Sequence, residues 1–211
     1  MTLFKFVNIE KKLNFNHTEF TNEPSEGEIF LTEFFLSEGI SFEVEVKLPD
    51  LKEDKKSYRV ADFYLTKLKV YVEFFGMWNV RDEKKNDYRE KKAVYALNNI
   101  PCIYLYPENL GIIHYSFNKR MRTVLKRYNK NKELFRFNLG LFLEAKSGNI
   151  VGFLICLALL ITFQFDRKAE YYWQWSGAMF AGLIWAGNSL YKGYVDFFRK
   201  DYSYVTFTKE F

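Results

Sequence analysis

Apolar and polar residues alternate with a period of two in short runs through the middle of the chain. SFEVEVK, residues 41–47, sets Phe42, Val44 and Val46 on one face and Glu43, Glu45 and Lys47 on the other. In YRVADFYL and KVYVEFFG the same period gathers Ala61, Phe63, Leu65, Val70, Val72 and Phe74 on one face, and Asp62, Tyr71 and Glu73 on the other. A two-residue turn at Thr66 and Lys67 pairs Leu65 with Leu68, Phe63 with Val70 and Asp62 with Tyr71. Asp62 and Glu73 then become diagonal neighbours, with backbones roughly 7–8 Å apart. Two carboxylates so placed can converge on one divalent cation.

Elements around this hairpin follow from capping and helical period. Residues 1–23 alternate loosely and are expected to give an early strand or packing arm. Ser25-Glu26-Gly27-Glu28 has capping-box spacing and opens a helix of about three turns, with Ile29, Phe30, Phe34 and Leu36 as its apolar positions and Gly39 as C-cap. After the charged loop RDEKKND, a helix is expected from Tyr88 to Asn98. Ala93, Leu97 and Ile100 cluster on one side of its wheel, and Tyr88, Lys91, Lys92 and Tyr95 share the opposite sector. Pro101 stops the helix, and CIYLY is a short buried strand. Strand, helix, strand at this length calls for a right-handed crossover and parallel pairing. The expected fold is α/β, a small mixed β-sheet flanked by helices.

Beyond residue 115 the pattern changes. From Ser116 to Arg136 the chain is basic, with apolar residues interleaved at helical spacing. A solvated helix, a DNA-backbone contact and a juxtamembrane polybasic helix all fit that stretch. Two uncharged runs come next, 148–165 and 171–190, separated by DRKAE. They predict a two-helix transmembrane hairpin, with Tyr171, Tyr172, Trp173 and Trp175 as an interfacial belt. Gly177, Ala178, Ala181, Gly182, Ala186 and Gly187 offer a close-packing face. Lys and Arg are denser outside the hairpin than in its turn, which places both termini in the cytoplasm. The expected organisation is a domain over 1–115, a basic juxtamembrane segment over 116–147, the hairpin over 148–190 and a cytoplasmic tail over 191–211.

Composition adds little against this picture. The net charge of +5 permits an anionic partner without requiring one. Cys102 falls in the buried strand and Cys156 in an apolar helix, which excludes a disulfide, and two distant histidines offer no zinc constellation. The opening MTLFKFVNIEKK lacks the apolar core of a signal peptide, so the bulk of the protein is expected in the cytoplasm.

Over residues 25–110 the chain resembles the restriction-endonuclease-like PD-(D/E)XK nucleases, especially compact relatives of very-short-patch repair enzymes. The SxxE helix start, GISFEVEV, YRVADFYL, KVYVEFFG and a helix ending in NIPCIYLYPENL carry the resemblance in that order. It implies that Asp62 and Glu73 are metal ligands and that Glu28 is an auxiliary carboxylate. The implied cofactor is Mg2+, with Mn2+ as a substitute, held also by a backbone carbonyl at Phe74. The family's usual lysine lies two residues after the second acid, where this chain has Phe75. Similar branches move that lysine to the following helix, which points to Lys91 first and Lys92 second.

The function expected from the resemblance is a membrane-anchored, Mg2+-dependent endonuclease acting on DNA, tethered to the bilayer through residues 148–190. One site cuts one strand per encounter, so duplex cleavage calls for a homodimer or two events. The alternative is a catalytically silent nuclease-like fold, a membrane-tethered nucleic-acid-binding or sensor module.

Overall fold

In the computed structural model, which describes residues 23–80, 82–163 and 172–199, Ser25 opens the first helix, α1, Glu26–Ser37. The capping box forms: the Ser25 backbone N–H donates to Glu28 Oε2 at 2.7 Å, and the Ser25 hydroxyl accepts from the Glu28 N–H. Glu38 is the C-cap, and Gly39 follows at φ 66°, a left-handed conformation that glycine adopts at low cost. The inward face differs from expectation. Leu31, Phe34 and Phe35 are buried, while Ile29 and Phe30 are exposed and Leu36 is half-buried. The expected strand or arm over 1–23 lies almost wholly outside the described residues.

Four strands make one mixed sheet in the order β1 (Phe42–Pro49), β2 (Tyr58–Leu65), β3 (Val70–Phe74), β4 (Cys102–Leu105). β1, β2 and β3 are antiparallel neighbours, and β4 joins β3 in parallel through the crossover helix α2, Asp82–Leu97. The mixed α/β character and the parallel β3–β4 pair agree with the sequence pattern. The hairpin register does not: Leu65 pairs with Val70, Tyr64 with Tyr71 and Phe63 with Val72. The loop is four residues, Thr66 to Lys69, closed by the Lys69 N–H on the Leu65 carbonyl at 2.7 Å with Lys69 at φ 56°. A slip of two residues preserves the faces. It also moves Asp62 from a diagonal position to one directly opposite Glu73.

The sheet is covered on both faces. Phe42, Phe63, Leu65, Val70 and Val72 are buried with the α1 side chains and with Phe117, Met121 and Leu125 of α4, Ile113–Arg127. Phe35 sits edge-on to Phe63 at 5.3 Å, and Phe34 to Phe117 at 5.4 Å. The opposite face, the one with the acids, lies under α2. That helix starts at Asp82, so most of RDEKKND is helical, with Asp82 and Glu83 in a first turn where acids suit the dipole. Of the two sectors on its wheel, the one with Tyr95 turns inward: Val94 and Tyr95 are buried, while Ala93 and Leu97 are exposed. Tyr95, Ile100 and Cys102 pack together with Tyr71 and Tyr104. The short helix α3, Pro107–Leu110, links β4 to α4.

The described chain falls into two compact units that divide near residues 134 and 135. Residue 116 lies inside α4, with Ser116 and Phe117 buried. In the second unit, α5 (Asn131–Phe163) is a single helix beginning well before residue 148, and α6 (Tyr172–Tyr194) runs into a π-helical turn, Val195–Arg199. The turn DRKAE and residues 200–211 lie outside the described residues. Among the described residues, one helix, Asn131–Thr162, is long and apolar enough to cross a membrane. Gln174, Ser176, Asn188, Ser189 and Lys192 leave α6 short of that measure. The two helices approach through glycines: a Cβ at Gly182 would lie 2.9 Å from Cys156 Sγ, and one at Gly187 3.8 Å from the Phe153 ring.

Candidate active site

The β2–β3 ladder stops at Phe63 and Val72, one residue short of the acids. Beyond that point the Phe74 N–H meets no ladder carbonyl of β2 and donates instead to a β2 side chain, Asp62 Oδ2, at 2.6 Å. A residue in an antiparallel ladder points its N–H and C=O to the same neighbour, so the Phe74 carbonyl faces the same opened edge. The side chain of Phe74 turns to the other face, toward α1. There a Cβ on Gly27 would overlap its ring, so glycine permits the close approach.

Glu73 points under α2 and is 1 % exposed. Two side chains of that helix, one turn apart, take its oxygens. Lys91 Nζ donates to Oε2 at 2.5 Å and the Tyr95 hydroxyl donates to Oε1 at 2.8 Å. Lys91 Nζ also donates to the Val60 carbonyl at 2.7 Å, which ties it to β2 beside Asp62. Arg59 of β2 holds the same helix by an ion pair with Glu90 at 3.0 Å and is itself gripped by Asp54 at 2.6 Å.

Phe75 explains where the lysine went. Alternation sets it under α2 beside Glu73, where it stacks on Tyr88 at 4.2 Å with planes 10° apart and on Trp78 at 6.1 Å. A lysine at 75 would sit inside this aromatic pile. On α2, Tyr88, Lys91 and Tyr95 succeed one another down a single face, so the amine arrives at Glu73 from the helix.

The electrostatics are those of an underneutralised pair. Burial pushes the Asp62 carboxyl well above the usual carboxylate range, and the adjacent Glu73 charge pushes it further. Burial also raises Glu73, against the pull of Lys91 and the Tyr95 hydrogen bond. Tyr95 is raised by burial and by Glu73, so it stays a neutral donor. Glu28 adds repulsion to both acids from α1. A buried carboxylate, Glu73, and a half-buried one, Asp62, therefore face one ammonium. Hard oxygens, an excess of negative charge and a free-standing backbone edge fit a divalent cation of the Mg2+ type, which is commonly held by one or two carboxylates with water and phosphate completing its shell. Among the described residues no group of three or more His, Cys, Asp or Glu side chains is placed to hold a metal ion. Glu28 therefore does not complete a three-carboxylate set, and its Oε2 is already committed to Ser25.

Of the residues singled out from sequence, Asp62, Glu73, Phe74 and Lys91 are brought together. Lys92 is not: its amine lies over the rings of Tyr104 and Trp78, at 5.3 and 6.0 Å. Tyr95 and the Val60 carbonyl escaped sequence reasoning as site groups, although the Tyr88–Lys91–Tyr95 spacing was a usable signal for the first. No protein-family model, curated protein or solved structure matches the chain.

Proposed function

We propose that the chain is a membrane-anchored endonuclease of the PD-(D/E)XK kind that hydrolyses DNA phosphodiesters with Mg2+, or Mn2+ in its place. The observation that carries the reading is the Lys91 amine at 2.5 Å from Glu73, beside an Asp62 held by the Phe74 N–H. Asp62, Glu73 and the Phe74 carbonyl would hold the ion. Bound there, it would supply Lewis-acid stabilisation of charge on the phosphate and acidify an attacking water. Lys91 offers a positive donor where that charge grows. Tyr95 fixes the Glu73 carboxylate, and the Phe74 N–H fixes that of Asp62.

The anchor in this reading is α5, with α6 returning beside it as a second crossing and both termini on the cytoplasmic side. The exposed Val151, Leu154, Ile155 and Ile161 on α5, and Phe180, Ile184 and Trp185 on α6, support lipid contact on both helices. Release of the full-length protein by a carbonate wash would defeat the anchor.

A second reading has its own support. Both oxygens of Glu73 are engaged by protein donors, which suits a silent module that binds nucleic acid without cutting it. One experiment separates the two. The full-length protein in detergent is incubated with plasmid and Mg2+ or Mn2+, beside Asp62→Ala, Glu73→Ala and Lys91→Ala. Nicking by the parent, with losses of about 100-fold or more in the variants, is the expected result. Equal cleavage by parent and variants removes the nuclease assignment. Retention of DNA without cleavage in either metal selects the silent module.

A further inference from the structure

We infer that the basic turn between α4 and α5 is a docking surface for the headgroups of anionic phospholipids. The inference rests on the membrane part of the proposed function and is independent of its catalytic part. The fold sorts the basic run into two groups. Lys119 is buried, and Arg120 is turned inward, donating to the Tyr104 carbonyl and lying over the Tyr106 ring. Lys126, Arg127, Lys132 and Arg136 remain exposed, with Arg122 and Lys130 half-buried beside them.

The basic residues recur at helical spacing. Arg122 and Lys126 stand four residues apart on α4, and Lys132 and Arg136 four apart on α5, so each helix holds a like-charge pair on one face. The turn joining them is tight, with Asn129 at φ 53° and the Lys130 N–H on the Leu125 carbonyl at 2.9 Å. Glu133, beside Lys132 in the chain, faces Lys69 of the β2–β3 loop at 3.8 Å. Six basic residues between Arg122 and Arg136 make this segment attractive to a polyanion.

The apolar stretch adjoining the charge favours lipid over nucleic acid. α5 continues without a break from Arg136 into Phe137, Leu139, Leu141, Phe142 and Leu143 and on to that stretch. At this end of the helical pair Phe135 packs on Phe198 at 5.5 Å, Phe142 on Phe197 at 6.2 Å, and Tyr194 on Phe198 at 5.5 Å. Of these rings Tyr194 carries the polar tip that suits headgroup depth. Lys132 and Arg136 stand at the edge of these rings, where an anionic leaflet attracts each Lys or Arg by an amount worth about fivefold in local binding.

The test uses the full-length protein in lipid nanodiscs, with acetylation of each lysine followed by mass spectrometry. Discs of phosphatidylcholine alone are compared with discs carrying about 30% phosphatidylserine, a leaflet-like density of anionic lipid. Labelling of Lys126, Lys130 and Lys132 is expected to slow about fivefold in the anionic discs and to recover in about 0.5 M sodium chloride. Lys55, exposed in the β1–β2 connection, serves as reference and stays unchanged. Replacing Arg122, Arg127 and Arg136 by Gln weakens the protection. Equal labelling in the two kinds of disc overturns the inference and leaves the anchor standing. Protection by a DNA duplex in neutral discs, with none from phosphatidylserine, overturns it in favour of a nucleic-acid face. Failure of the protein to enter discs overturns the anchor and this inference together.

Discussion

Lys91 of α2 places its amine 2.5 Å from the Glu73 carboxylate of β3, eighteen residues earlier in the chain. The pair is largely buried, with the Lys91 side chain 17 % and that of Glu73 2 % exposed. It couples the crossover helix to the strand that carries the second acid, so site geometry and local stability depend on one contact. The contact neutralises one of two adjacent carboxylates, and among the described residues Asp62 forms no ion pair.

Replacing Lys91 by Met keeps the length of the side chain and removes the charge. Breaking a buried pair from one side costs about 3 kcal/mol, because the partner keeps its desolvation without its counter-charge. Hydrogen exchange of the β3 and α2 peptides in the full-length protein reads the loss locally. Protection should fall in both segments and less so in α4. An unchanged pattern would mean that the pair contributes nothing to folding.

The acid pair also sets an inverted pH dependence. Asp62 and Glu73 titrate above their ordinary values of 3.8 and 4.5 in the folded chain. In the window that begins there, the folded state holds protons the unfolded state has released, so stability falls as pH rises toward the folded pKa values. Exchange protection of β2 and β3, corrected for the intrinsic pH dependence of exchange, should decline as pH rises above about 5 and be restored by Mg2+. Asp62→Asn keeps an acceptor for the Phe74 N–H and removes the repulsion. It should flatten the profile, gain on the order of 1 kcal/mol at pH 8 and lose the response to Mg2+. A wild-type profile that rises with pH would contradict the assignment of raised acids.

What could be read from the sequence divides along physical lines. Period-two alternation located the buried faces of β2 and β3, and the SxxE spacing located the start of α1, because both signals are local. The hairpin register was missed because Lys69, with no glycine to announce it, takes the left-handed position that lengthens the loop. The wheel divided α2 into two sectors but did not tell which turns inward, because the buried side carries Tyr88, Lys91 and Tyr95, which it counts as polar. Glu73, a residue on another element, draws them inward. Asp62, Glu73 and Lys91 were therefore legible as chemistry before their setting was legible as packing. The Phe74 N–H on Asp62 was not, since it depends on where the β2–β3 ladder ends.

Gly27 should be intolerant of the smallest addition. A methyl there overlaps the Phe74 ring, and overpacking of this kind costs about 1–3 kcal/mol, partly offset by the better helix propensity of alanine. Gly27→Ala is expected to lower protection of α1 and to displace Phe74, and with it the amide that holds Asp62. Phe74→Leu makes room at the contact, so the double variant should recover much of the loss. Additive losses in the double variant would show that the two sites do not touch.

The pairing of α5 with α6 offers a chemical test that needs no knowledge of the bilayer. A Cβ at Gly182 would lie 2.9 Å from Cys156 Sγ and 3.9 Å from its Cβ, within the Cβ separation that a disulfide spans. Gly177 lies on the same helix with nothing within 4 Å of its would-be Cβ. In membranes holding the full-length protein, Gly182→Cys should cross-link to Cys156 on mild oxidation, and Gly177→Cys should not. Cys102, buried in the sheet with its thiol pushed up by burial, should take no part in either variant. Peptide mapping under non-reducing conditions identifies the linked pair. If Gly182→Cys stays reduced, or links only between chains, α6 does not return along α5 in this register, and the second crossing loses its support.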